Sequence, residues 1–208
     1  MKIYEFKGFP NPARVRIALA EKGLLDEVEF VHVDVPNGEH KTAAFLAKNP
    51  SGAVPVLELD DGTIVTECTA ITEYLDHIAG EPVLTGRDAK ERARIAMMQR
   101  KVESGLTDAA ASYFHHATPG LGPDIETYQN ASWGEKQRER AADTMRWMND
   151  SLADRDYLAG DRFTVADITA MAGFAFADFI KLEIPADYTA LHLYRARLSE
   201  RQSATTAF

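Results

Sequence analysis

The chain has 208 residues, more than the commonest single domain and enough for two modest ones. A formal net charge of −9 argues against nucleic acid or an anionic membrane as a main partner, and any anionic ligand would need a local basic pocket. The lone Cys68 excludes an internal disulfide and a cysteine-based metal site, so no metal is expected. With no run near ~18 apolar residues and no secretion-signal pattern, a reducing, cytoplasmic setting is expected and a membrane is not.

Residues 2–6 alternate apolar and polar and predict a strand. After Gly8 and Pro10, Asn11 followed by Pro12 has the form of an N-cap with proline at the first helical position. Val15, Ile17, Ala18 and Leu19 carry that helix to Gly23, a C-terminal stop. Residues 28–35 alternate again, and 42–48 predict a short helix. Asp60-Asp61-Gly62 between the runs 54–59 and 63–66 is a hairpin signal. Residues 69–78 place Ile71, Tyr74, Leu75 and Ile78 on one helical face. The order β-α-β-α-β-β-α predicts a thioredoxin-like domain with a mixed sheet over residues 1–79.

Gly80, Pro82 and Gly86 mark a linker, and residues 87–208 predict an all-helical bundle, so the fold class is α/β plus all-α. Helical patterns cover 89–111, 132–152, 164–180 and 188–201, with Pro119, Gly120, Gly122 and Pro123 breaking the first from the second. The stretch 164–180 is apolar nearly all round and is expected at the centre. Thr164 with Asp167 has capping-box spacing.

Several of these segments resemble the glutathione S-transferase superfamily. They are NPSGAVPVLELDDG at 49–62, TECTAITEYL at 66–75 and GDRFTVADI at 160–168, in the family's order across both domains. ARVRIALAEKGL, GEHKTAAFLAKNP and YFHHATPGLGP resemble the yeast Gtt2-like branch and its bacterial relatives more narrowly. The resemblance implies an enzyme that conjugates glutathione to small, mostly hydrophobic electrophiles. Glutathione would be the co-substrate with no further cofactor, and the chain a homodimer.

Glutathione has a zwitterionic γ-glutamyl end, a peptide-like middle, a thiol and a glycine carboxylate. An extended backbone can pair with the middle, and Val54 would do so if the Val54–Pro55 bond is cis, as the resemblance implies. A trans proline that merely starts a strand is the alternative from the residues alone. The α-ammonium needs an anion, for which Glu67 is the candidate; otherwise Glu67 is a plain acid stabilising a helix start. Cys68 stands where the family presents a hydroxyl, and its backbone N–H is still able to donate. A reactive thiol and an inert buried one are both open readings of Cys68. His40 and Lys41 are the cations for the glycine carboxylate, or a solvated surface pair.

The stretch from Phe6 to Arg14 contains no Tyr, Ser or Cys, the groups that most of the family uses to ionise the thiol, and Tyr4 falls within the first strand. The remaining donors are the opening of the first helix at Asn11, with Arg14 and Arg16 nearby, and the pair His115-His116. In the Gtt2-like branch a histidine of that stretch and a helical hydroxyl hold a water near the sulfur. His115 matches that histidine, while Ser112 is one position away and Ala111 occupies the matching place. The alternative for both histidines is a helix C-cap. Phe9, Tyr113, Phe114, His115 and His116 are the expected electrophile-site residues, and Phe9 and Arg14 join the glutathione set. A non-catalytic binding or scaffold module, or a ligand carrier, is the competing function.

Overall fold

A computed structural model describes residues 1–207, and Phe208, which the expected second domain includes, lies outside the described residues. Contacts divide the chain into two compact units, Met1–Leu84 with residues 202–207, and Thr85–Arg201.

The first unit has a four-stranded mixed sheet in the order β2-β1-β3-β4. The strands are β1 (Lys2–Glu5), β2 (Glu29–His32), β3 (Val56–Glu58) and β4 (Ile64–Val65). β1 runs parallel to β2, with Ile3 opposite Phe30, and antiparallel to β3, with Ile3 opposite Leu57. The hairpin at Asp60-Asp61-Gly62 joins β3 to β4, with Gly62 at φ 83°. β2 is shorter than its alternation predicts because Val35 turns back onto Val33 and Pro36 follows. The helices are α1 (Pro10–Lys22), α2 (Ala43–Leu46) and α3 (Cys68–Ile78). Ile3, Val15, Leu19, Leu57, Ile71 and Leu75 form the core between sheet and helices. Full burial of such side chains stabilises the unit by roughly 1.5–3 kcal/mol each. A buried ion pair, Lys22 Nζ to Asp76 Oδ1 at 2.9 Å, ties α1 to α3.

α1 starts two residues earlier than Asn11-Pro12 suggests. Phe9 is the N-cap and Pro10, not Pro12, is the first helical residue. Both prolines are tolerated because the first turn of a helix needs no N–H. α2 is capped by Thr42, whose Oγ1 accepts from Phe45 N–H.

In the second unit the helices are α4 (Ala89–Val102), α5 (Asp108–Ala117), α6 (Ala131–Ser151), α7 (Val165–Phe179) and α8 (Thr189–Ser199). The helix expected over 89–111 runs on to Ala117, with a single π turn at Glu103–Thr107 between α4 and α5. Gly105 lies in that turn, and a Cβ there would overlap the Thr144 side chain of α6. Any larger residue there would have to displace the Thr144 side chain.

α7 is the central helix. Asp167, fully buried, accepts from Thr164 N–H at 2.8 Å, Thr164 Oγ1, Leu158 N–H at 3.0 Å and Tyr194 OH at 2.7 Å. Burial pushes its carboxyl above the usual range, and those four hydrogen bonds oppose the shift.

The last helix, α9 (Ala204–Ala207), packs with the first unit on α1 rather than with the helical unit, and Ser203 Oγ donates to Glu21. No helix among the described residues is long and apolar enough to cross a membrane.

Candidate functional site

The first unit collects most of the expected ligand-binding residues along one run of loops. The Val54–Pro55 bond is cis. The β1–β3 register ends at Tyr4 opposite Val56, and Val54 makes no hydrogen bond among the described residues. Its N–H and C=O are therefore open to an extended chain laid beside them. The Asn49 side chain supports this loop, with Nδ2 donating to Ala53 O at 2.8 Å and Oδ1 accepting from Ser51 Oγ at 2.8 Å.

Glu67 is the N-cap of α3, at φ 67° and ψ 122°. A positive φ at a residue other than glycine, with ψ outside the left-handed helical well, is strained backbone. Its side chain is exposed and has no hydrogen bond or ion pair among the described residues. Cys68 opens α3, and its buried Sγ donates to the Asn11 carbonyl at 3.4 Å. That bond ties the start of α3 to the start of α1. The thiol thus has a structural partner, and the geometry gives it the role of a link between helices.

The opening of α1 has fewer donors than an ordinary helix start. Pro10 and Pro12 have no N–H, and Phe9 N–H is spent on Phe6 O at 3.2 Å. Asn11 N–H is left without a partner among the described residues. The Asn11 side chain turns its Oδ1 to Arg14 Nη1 at 3.2 Å. Arg14 itself is buried, and Arg16 is clamped on buried Glu5 and lies over the Phe30 ring. Arg16 is therefore neutralised, contrary to the expectation that it adds charge at the helix start. Phe9 stacks obliquely on Phe6 at 4.5 Å.

His40 and Lys41 lie in a 3-10 turn, Glu39–Lys41, before α2. His40 is 5% exposed and its Nδ1 has no partner, while Lys41 is exposed with Nζ 3.4 Å from Gly52 O. Burial first, then the Lys41 charge, lowers the His40 pKa below its ordinary 6.5. Of the two expected cations, only Lys41 carries charge at neutral pH, and His40 supplies a neutral imidazole.

The second unit holds the other expected residues, at the end of α5. His115 Nδ1 is 2.7 Å from Glu126 Oε1, which also accepts from Leu121 N–H at 2.9 Å. His115 Nε2 has no partner among the described residues. Ser112, expected to hold a water together with His115, makes no hydrogen bond among the described residues, and the side chain bonded to His115 is that of Glu126. His116 is not free to line a ligand site through Nδ1, which accepts from Asn130 N–H at 3.2 Å and fastens α5 to the start of α6. Tyr113 faces Arg138, whose guanidinium is 5.9 Å from the ring centroid. Phe114 packs edge-on against His115 and Phe176, and close to Phe179, which is 70% exposed.

Glu126 is the site residue that the sequence did not indicate. The only signal was an acid eleven residues past a histidine in a Gly/Pro-rich loop, and such an acid is ordinarily solvated.

A thioredoxin-like unit with an open strand edge before a cis-proline, a strained acid at a helix start, and an all-helical unit around a buried capping box define the glutathione S-transferase fold. The chain belongs to that family: the model of the glutathione S-transferase N-terminal domain matches residues 10–78 and that of the C-terminal domain residues 105–202. It is 52% identical over 203 residues to Glutathione S-transferase 2 of Saccharomyces cerevisiae, covering 98% of this chain and 87% of that protein. The crystal structure of Gtt2 from Saccharomyces cerevisiae superposes with a TM-score of 0.98 at 50% identity, covering both chains in full. A glutathione S-transferase domain-containing protein of Marinobacter aquaeolei gives a TM-score of 0.97 at 60% identity, covering 98% of this chain and all of that one.

Proposed function

We propose that the protein conjugates the glutathione thiolate to small, mostly hydrophobic electrophiles, using no Tyr, Ser or Cys at the end of the first strand. Glutathione is the co-substrate and no other cofactor takes part. Val54 pairs with the peptide-like middle, Glu67 takes the α-ammonium, and the N–H of Cys68 meets the γ-glutamyl carboxylate. Lys41 and His40 take the glycine carboxylate. The observation that carries the proposal is the pairing of an unbonded Val54 backbone with a strained, unpartnered Glu67 in one unit.

The thiol is ionised by the α1 opening. A free thiol has a pKa of about 8.5. A charge-assisted hydrogen bond from Asn11 N–H contributes about 1.5–3 kcal/mol, and the helix N-terminus a further ~0.3–1 kcal/mol. At about 1.4 kcal/mol per pH unit, these place half-ionisation near pH 6–7, sufficient without a side-chain hydroxyl. His115, to which the Gtt2-like resemblance gives a water near the sulfur, is the residue that receives the proton through that water. Proximity of thiolate and electrophile supplies the remaining acceleration. A cytoplasmic homodimer is the expected working form.

The competing reading is a non-catalytic glutathione-binding module, which the absence of a hydroxyl or thiol between Phe6 and Arg14 favours. A steady-state assay with a dinitrohalobenzene and glutathione separates the two. Turnover that falls in His115→Ala while glutathione affinity is kept supports the enzyme. Tight glutathione binding with no turnover on any electrophile supports the module.

A further inference from the structure

We infer that Glu126 is a positioning residue that holds His115 with its proton on Nδ1, leaving Nε2 as the basic nitrogen. This rests on the proposed role of His115 as proton acceptor for the glutathione thiol. In that step the S–H bond breaks, its electron pair stays on sulfur, and the proton passes through a water to form the Nε2–H bond. The resulting imidazolium is paired with the Glu126 carboxylate and later loses its proton to solvent.

The geometry leaves little freedom in the assignment. An ionised carboxylate offers only lone pairs, so the 2.7 Å contact requires His115 Nδ1 to be the donor. The hydrogen bond made by one ring nitrogen fixes the state of the other. The Glu126 side chain is 9% exposed and is itself held, because Oε1 also accepts from Leu121 N–H. A Cβ at Gly120 would overlap the Glu126 carboxylate, so the loop is closed tightly around it. The loop is fastened to α5 by three more bonds: Thr118 Oγ1 to Phe114 O, and Gln129 Nε2 to both His115 O and Thr118 O. Phe114 closes one edge of the imidazole at 5.1 Å. A solvated acid would need none of this scaffolding. A carboxylate behind a histidine whose other nitrogen is open is the arrangement of an oriented base.

The test combines 15N NMR of histidine-labelled protein with kinetics, using the full chain, Glu126→Gln, and His115→Ala for assignment. Gln keeps an acceptor for Leu121 N–H, so the loop has reason to stay folded, and thermal unfolding checks this. In the unmodified protein, the neutral form of His115 is expected to carry its proton on Nδ1 and leave Nε2 bare. In Glu126→Gln, kcat is expected to fall about ten- to hundred-fold while KM for glutathione stays within about twofold. A purely structural Glu126 would lower stability without lowering kcat at constant KM for glutathione. An Nε2-protonated His115 in the unmodified protein, or a Glu126→Gln enzyme with unchanged kcat, overturns the inference. If the tautomer is as stated but His115→Ala turns over normally, the proposed catalytic role of His115 is what fails.

Discussion

Glu67 offers a sharp test, because its two effects oppose each other. Its backbone sits at φ 67° and ψ 122°, and its exposed side chain makes no hydrogen bond or ion pair among the described residues that would offset the strain. A non-glycine residue held there costs about 1–3 kcal/mol. Glu67→Gly removes that strain but adds roughly 0.5–1 kcal/mol of unfolded-chain entropy. The net is a stabilisation of up to ~2 kcal/mol, about 1 kcal/mol at the centre, or a rise in Tm of about 2–4 °C for a chain of this length. The same change deletes the carboxylate proposed to meet the glutathione ammonium, a charge-assisted contact worth about 1.5–3 kcal/mol. Glutathione is therefore expected to bind on the order of ten- to a hundredfold more weakly by isothermal calorimetry. Glu67→Ala serves as the control: it keeps the strain, so it should lose affinity without gaining stability. A Glu67→Gly protein that is less stable by more than ~1 kcal/mol, or that binds glutathione as tightly as before, refutes the reasoning.

His40 should make glutathione binding pH-dependent. Burial and Lys41 lower its pKa below 6.5 in the free protein, so its contribution to stability is present above pH 6.5 and is lost as pH falls through the lowered value. A glycine carboxylate placed against it favours the imidazolium, so binding should take up a proton and tighten as pH falls through the weakly acidic range. Calorimetry in buffers of different ionisation heat measures this; no buffer dependence, or an unchanged dependence in His40→Gln, would count against it. Asp167→Ala removes a buried carboxylate with four hydrogen bonds and should cost about 3–5 kcal/mol in urea unfolding. A loss under ~1 kcal/mol would mean the cap contributes little. Gly105→Ala forces a methyl into the Thr144 side chain and should cost about 1–3 kcal/mol, with unchanged stability as the contrary result.

Much of the fold was legible because local chemistry and tertiary contacts agree. Asp60-Asp61-Gly62 needs a positive φ and a tight turn, and Gly62 adopts one. Thr164 and Asp167 cap α7 through three-residue spacing alone. The start of α1 was displaced because two prolines both satisfy the first-turn rule, and Phe9 caps the helix with no side-chain bond that a pattern could reveal. The length of α5 was hidden by the small residues Ala109, Ala110 and Ala111, which give no face to count, and by a π turn whose cause is Thr144 on another helix. In the site, Val54, Pro55 and Glu67 were visible as a linear motif. Glu126 and the neutrality of His40 were not, since each depends on burial created by residues distant in sequence.

The most direct measurement is an ultraviolet difference titration of the thiolate with the protein saturated in glutathione. A bound thiol that is half-ionised near pH 6–7 is the result expected if the Asn11 N–H and the α1 terminus hold the sulfur as an anion. A bound thiol still protonated up to about pH 8.5, the value for a free thiol, would contradict it.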